Sequence, residues 1–240
     1  MGGTTGPRGA APVEGAAEAH WRGRVPQHAF QLHHGRGRCR KVCEHARTSS
    51  QGGIGDEPLE CGQIWTLSPG GQDEHPGLFR LEVTEGPGSG VRVLNNPGPA
   101  AFKESIRCAE QNLYARAQQL VGDRDPRSHE FSVQFRGFDA AKSAAKTSVA
   151  ALIALASALL KKSVRGGLVV VGEVTLGGTI ELIHNAITLA EIAVEKGAKS
   201  LLLPVSCRRQ LFDLSDEMAT KLDVEFYQDG RDALLKALAE

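Results

Sequence analysis

Long hydrophobic runs are missing from this sequence. The longest, Val149 to Leu160, covers about half of the ~20 residues that a membrane-spanning helix requires and ends in Lys161-Lys162, so no span and no membrane partner is expected. An excess of either charge is also missing: 28 Lys and Arg stand against 28 Asp and Glu, which excludes a uniformly basic nucleic-acid binder and an acidic solvating chain. Cysteine is scarce. Cys39, Cys43, Cys61, Cys108 and Cys207 are odd in number and irregularly spaced in a chain too long to need stapling, which argues against a disulfide framework and for a reducing, cytoplasmic setting. The N-terminus has no continuous apolar stretch, since Arg8, Glu14, Glu18 and Arg22 interrupt it, and secretion is not indicated. No GxxxxGK[ST] phosphate-binding loop occurs, and Gly86-Pro87-Gly88-Ser89-Gly90 leads to a strand and reads as a turn. No repeat of fixed period is present.

The charge balance hides two differently built segments. Residues 1–55 hold eight Arg or Lys against three Glu, with eleven Gly, three Pro and five of the eight His, and almost no Ile, Leu or Val. Such a composition cannot bury enough apolar surface to fold, so residues 1–61 are expected to form a disordered basic Gly/His-rich tail before a domain at 62–240. The change near Gly62 is abrupt enough to suggest a mis-assigned start. Within the tail, Arg36-Gly37-Arg38-Cys39-Arg40-Lys41 is a basic cluster able to contact DNA phosphates without reading sequence. Only Trp21 and Phe30 lie near it, too few aromatics for a platform that stacks bases. His33, His34, Cys39, Cys43 and His45 contain an acceptable metal-ligand spacing, but Cys43 and His45 do not make a standard finger half, and no metal is expected.

Past Gly62 the patterns become regular. Gln63 to Leu67, Leu78 to Val83 and Val91 to Leu94 are short strands bounded by Gly and Pro, in an expected meander. Phe102, Ile106, Ala109, Leu113, Ala117 and Leu120 recur at intervals of three and four, an amphipathic helix ending near Gly122. His129 to Gly137 alternates Phe131, Val133 and Phe135 on one face, a strand, and an Ala-rich helix follows from Ala145 to Lys162. Leu168 to Val171 reads as a buried central strand, Thr179 to Leu182 as a returning strand after Gly177-Gly178, Ala186 to Lys196 as a helix stopped by Gly197, and Ser200 to Leu203 as another buried strand. A helix at Asp216 to Lys221, a strand at Val224 to Tyr227 and a helix at Arg231 to Ala239 complete an α+β domain. Trp65, Phe102, Phe131, Phe135 and Phe212 fall on apolar stripes and are expected in the core.

The run Val170-Val171-Gly172-Glu173-Val174-Thr175-Leu176-Gly177-Gly178 resembles the strand and turn motif of the Lon protease domain, of the ribosomal protein S5 domain 2-like fold class. Ser163-Val164-Arg165 upstream continues the match, as do Gly197 to Pro204, Arg208 to Leu211, Leu222-Asp223-Val224 and Ala233 to Leu238 downstream. Phe135-Arg136-Gly137-Phe138-Asp139 and the Ala186 to Lys196 segment make the stretch more similar to the Lon-like proteins of BREX phage-defence systems, of the BrxL type, than to a housekeeping Lon. The resemblance implies a homo-oligomeric ring and an accompanying ATPase. With no Walker A motif here, no cofactor is expected in this chain, and any ATP use falls to a separate ATPase module or to other BREX proteins.

Peptidases of this family use a serine at the start of one helix and a buried lysine of the next, whose lowered pKa lets it take the serine's proton. An ungapped count from Val164-Arg165 puts Lys146 on the serine position, and a count from Gly172-Glu173 puts Leu189 on the lysine position. Both members of the dyad are therefore expected to be absent. The available stand-ins are Ser143, displaced by three positions, with Lys142 or Lys146 as its base. Ser148 lies two positions late, Lys196 about 10 Å too far along its helix, and His184 just before that helix. Three readings follow: a non-proteolytic oligomerisation module, a serine-type peptidase relying on a displaced Ser143, or an auxiliary protein that contacts DNA through its tail.

Overall fold

The computed structural model describes residues 53–70, 75–95, 99–138 and 144–239. The basic cluster, the His33 to His45 set, Lys142 and Ser143 lie outside the described residues.

Strands β1 (Gln63–Ser68), β2 (Gly77–Pro87), β3 (Gly90–Val93), β4 (His129–Gly137), β5 (Leu168–Val170), β6 (Ser200–Pro204) and β7 (Asp223–Tyr227) form one sheet in the order β3-β4-β2-β1-β5-β6-β7. Side chains alternate across it with the period of two that the pleat imposes. Ile64, Phe79, Leu81, Val83, Leu168, Val170 and Leu202 enter one core, and Trp65, Leu67, Leu78, Val169, Val171, Leu201 and Leu203 enter another on the opposite face. Helices α1 (Ala100–Ala115), α2 (Ala117–Leu120), α3 (Ser148–Leu160) and α6 (Gly230–Ala237) supply the first layer. Helix α4 (Ala186–Glu195) and the 3-10 segment Val205–Asp213 belong to the second; α5 (Asp216–Lys221) packs on α4 and β7.

The antiparallel half of the sheet departs from the expected meander. β1 and β2 form a hairpin, but β4 inserts between β2 and β3, antiparallel to β2 and parallel to β3. A strand four residues long carries no mark of its partner, and the turn at Gly88-Ser89 is too tight to reveal that the chain leaves the ladder. Thr179 to Leu182 is not a strand either. It folds back on the Gly172–Gly178 loop through a single bridge, Ile180 to Val174, with the Glu181 amide on the Glu173 carbonyl, too short a pairing to make a strand. The stripe expected from Phe102 to Leu120 is broken at Arg116 into α1 and α2. Phe212 is 80% exposed, so its place in an apolar stripe did not bring it into the core.

Helix α3 sits at the centre. Every residue from Ser148 to Leu159 is buried, and its alanines let α1, β1, β2 and α6 approach on all sides. A helix that is apolar all round belongs in such a position. The domain also takes in residues ahead of Gly62: Ile54 packs in the second core, and Leu59 bridges to Val164.

Candidate functional site

Three elements meet where α3 begins. The loop Gly172–Gly178 leaves the end of β5, α1 lies alongside, and the chain enters α3 through Lys146 and Thr147. Lys146 occupies a left-handed conformation, φ 55°, which costs a non-glycine residue of order 1–3 kcal/mol and must be held by its surroundings. Its side chain is half-buried, and its ammonium has no hydrogen-bond or ion-pair partner among the described residues.

Three consecutive amides where the chain enters α3 are satisfied from within the protein. Thr147 N–H donates to Ser105 Oγ at 3.4 Å, Ser148 N–H to Glu173 Oε2 at 3.1 Å, and Val149 N–H to the Gly172 carbonyl at 3.2 Å. None of the three is free to receive an oxyanion, the usual service of amides at a catalytic helix start. Ser148, a candidate stand-in, is fully buried and doubly engaged: its Oγ accepts from Val174 N–H at 2.6 Å and donates to the Val174 carbonyl at 3.2 Å. It staples helix to loop and is no nucleophile in this arrangement.

Glu173 is the charged centre of the site. Ser105 Oγ lies 3.2 Å from both of its carboxylate oxygens. Burial pushes its carboxyl above the ordinary range, an effect that the Ser148 and Ser105 hydrogen bonds oppose and the neighbouring Glu181 reinforces. The same burial, with Glu173 close by, raises the Cys108 thiol and the Tyr227 phenol. Because the folded pKa of Glu173 exceeds its unfolded value, the folded protein keeps this proton where the unfolded chain has lost it. Stability from this group therefore falls as pH rises from the ordinary carboxylate pKa through the folded one. Glu173→Gln retains an acceptor for the Ser148 amide and removes the charge. The variant is expected to be at least as stable as the parent at neutral pH and to lose that part of the pH dependence; urea midpoints between about pH 4 and pH 8 measure it.

Polar residues on α1 and at its C-cap complete the frame. Asn112 is buried and donates from Nδ2 to the Thr175 carbonyl at 2.8 Å, and Arg116 donates to Asn112 Oδ1 at 2.6 Å and to the Gly177 carbonyl. Ser105, Asn112 and Arg116 recur at intervals of seven and four, one face of a helix, and grip the loop at Glu173, Thr175 and Gly177. The sequence reading passed over all three. Their spacing among the apolar residues was the available signal, but their acceptors are mostly backbone atoms some sixty residues away, which no local pattern announces.

The position expected for a base lysine is different in kind. Leu189 is 0% exposed and packs with Ile183, Ala186, Ala190, Leu201, Leu203 and Cys207 in the second core, across the sheet from the α3 layer. Lys196 caps the far end of α4, its Nζ 3.6 Å from Glu195 Oε1, and His184 is exposed just before α4. Neither is brought to Lys146 or Ser148 by any described contact. No cluster of three or more His, Cys, Asp or Glu suited to a metal ion occurs among the described residues, and none of their helices is long and apolar enough to cross a membrane.

Comparison with known proteins agrees with this architecture. A family model described as the Lon protease (S16) C-terminal proteolytic domain matches residues 60–240. Among curated proteins, the chain is 33% identical over 163 residues to the Lon-like protease BrxL of Escherichia coli O9:H4 (strain HS), covering 68% of this chain and 24% of that protein. It is 29% identical over 180 residues to the Lon-like protease BrxL of Bacillus cereus (strain H3081.97), covering 74% and 26%. Lon protease 1 of Hydrogenovibrio crunogenus is 27% identical over 177 residues, with 72% and 21% covered. The chain thus spans about a quarter of the length of the BrxL relatives it matches. With the family model matched across residues 60–240, the chain belongs to the Lon protease (S16) C-terminal proteolytic domain family.

Proposed function

We propose that this chain is a BrxL-type Lon domain that no longer hydrolyses peptides and serves subunit association in a phage-defence assembly of the BREX kind. One observation carries the reading: the position that an ungapped count assigns to the base lysine is Leu189, fully buried among aliphatic side chains. A lysine activates a serine by accepting its proton, and a leucine has no group to do so. Lys146 at the counted nucleophile position, and the closed amides at the start of α3, support the same conclusion. Fold ancestry by itself does not supply activity, which resides in the site. The domain then acts as a ring-forming copy of itself, with ATP hydrolysis supplied by a separate module.

The test joins three measurements on one preparation: turnover of fluorogenic peptides and of unfolded casein, labelling by a fluorophosphonate serine probe, and mass by light scattering. The expected result is a defined oligomer without turnover and without labelled Ser143. Hydrolysis that Ser143→Ala abolishes would replace this reading with that of a serine peptidase using a displaced nucleophile. A monomer at cellular concentration would remove the assembly role.

A further inference from the structure

Beside the Gly172–Gly178 loop, between α1, α2, α3 and the start of α6, lies a cavity of about 380 Å³. It falls near the lower end of the roughly 300–1,000 Å³ typical of small-molecule sites. Leu120, Leu152 and Val174 give it an apolar wall, while Arg116 and Arg231 reach it from opposite elements.

The two guanidiniums are unusual in their lack of counter-charge. Arg116 is oriented by Asn112 Oδ1 and the Gly177 carbonyl, both neutral acceptors, and it forms no ion pair among the described residues. Those two bonds use two of its five N–H groups and leave three to donate. The guanidinium also lies against Gly178, at φ 85°, where any Cβ would overlap it, so the backbone makes room for this one side chain. Arg231 is exposed and has no partner among the described residues.

Gly230 and Arg231, also lining the cavity, are the first two residues of α6, and their amides make no hydrogen bond among the described residues. The opposing charge is Asp229. Its carboxylate is turned to the helix it caps, accepting from Asp232 N–H at 2.8 Å, and Asp232 is itself paired with Lys236 at 3.0 Å. The cavity is thus a half-apolar pocket with two unpaired cations.

We propose that this cavity binds a small organic anion, a carboxylate or phosphate on an apolar body, held by the Arg116 and Arg231 guanidiniums with its body against Leu120, Leu152 and Val174. A planar guanidinium offers parallel donors that match either oxyanion, and an arginine already oriented loses little freedom on engaging one. The site shares Arg116 and the Gly172–Gly178 loop with the frame around the start of α3, but it does not depend on whether the domain hydrolyses peptides.

The test uses the full chain with phenyl phosphate, 3-phenylpropionate and the uncharged benzyl alcohol, followed through the amide resonances of Gly178, Gly230 and Arg231. The two anions are expected to shift these resonances with Kd below about 1 mM, and benzyl alcohol to bind at least about tenfold more weakly. Arg231→Glu, an exposed change that leaves the fold intact, is expected to weaken both anions by about tenfold or more; Arg116→Lys, which keeps the charge and loses the fork, is expected to weaken them too. Equal binding of benzyl alcohol, an Arg231→Glu protein that binds like the parent, or no shift in the folded protein would each overturn the proposal. The ratio of the two anion affinities tells whether the natural ligand carries a phosphate or a carboxylate.

Discussion

Leu189→Lys is expected to cost the fold roughly 3 to 6 kcal/mol at neutral pH, because it forces an ammonium, or a neutralised amine, into a dry aliphatic cluster. Among the described residues, the buried members of the second core include no Asp or Glu to pair with it. Leu189 belongs to a cluster of mostly aliphatic side chains, and the ionisable residue among its buried members is Cys207, whose own thiol is pushed up by burial. The sign of the pH dependence identifies the cause. A buried lysine has a folded pKa below its unfolded value, so the unfolded chain binds the extra proton at neutral pH and stability rises as pH climbs toward the unfolded lysine pKa of about 10.4. Urea denaturation at about pH 7 and about pH 9.5 should therefore show the variant recovering while the parent does not. A variant as stable as the parent at neutral pH would mean that a cation is accommodated at this position, and that the leucine there is not demanded by the dryness of the second core.

The second large effect is expected at Gly172. This residue passes so close to Tyr227 that an added Cβ would overlap the phenol oxygen, and Val149 closes in behind. Tyr227 cannot swing aside, being fully buried and donating its hydroxyl to the Val171 carbonyl at 2.9 Å. Gly172→Ala is expected to destabilise by about 3 kcal/mol or more, as overpacking against an immobile neighbour does. Tyr227→Phe alone should cost about 1 to 2 kcal/mol for the unsatisfied Val171 carbonyl. The double variant is expected to be more stable than the sum of the two by at least about 1 kcal/mol, since removing the hydroxyl relieves the overlap. Strict additivity in a denaturant-melt cycle would show that the clash is absorbed elsewhere, for instance by a shift of the loop that carries Glu173.

These two sites differ in how legible they were. Leu189 could be reached by counting along a recognisable stretch, and its burial follows from the apolar periodicity of α4. Gly172 stands out as part of a motif, but its reason is a phenol fifty-five positions later, visible only once β7 lies near β5. The same division runs through the fold. The apolar stripe of α1 and the alternation of β4 are local regularities and were readable. The parallel pairing of β3 with β4 and the single bridge at Ile180 depend on which neighbour a strand finds, and that choice is made by the packing of distant parts. In the site, Ser148 looked like a spare hydroxyl because its partner, the Val174 backbone, is twenty-six residues away. Ser105 and Arg116 went unremarked for the same reason.

The position of β1 has a kinetic consequence. Its hairpin with β2 joins neighbours in sequence, but its other edge pairs with β5, Trp65 opposite Val169, more than a hundred residues along the chain. During synthesis the antiparallel side can assemble while β1 still has an open, hydrophobic edge, and that edge stays exposed until β5 has emerged. Contacts of such long range slow folding, and unpaired apolar edges recruit other chains. The domain should therefore be most prone to aggregate when synthesis halts between β4 and β5, and truncations ending before Leu168 should be found in the insoluble fraction.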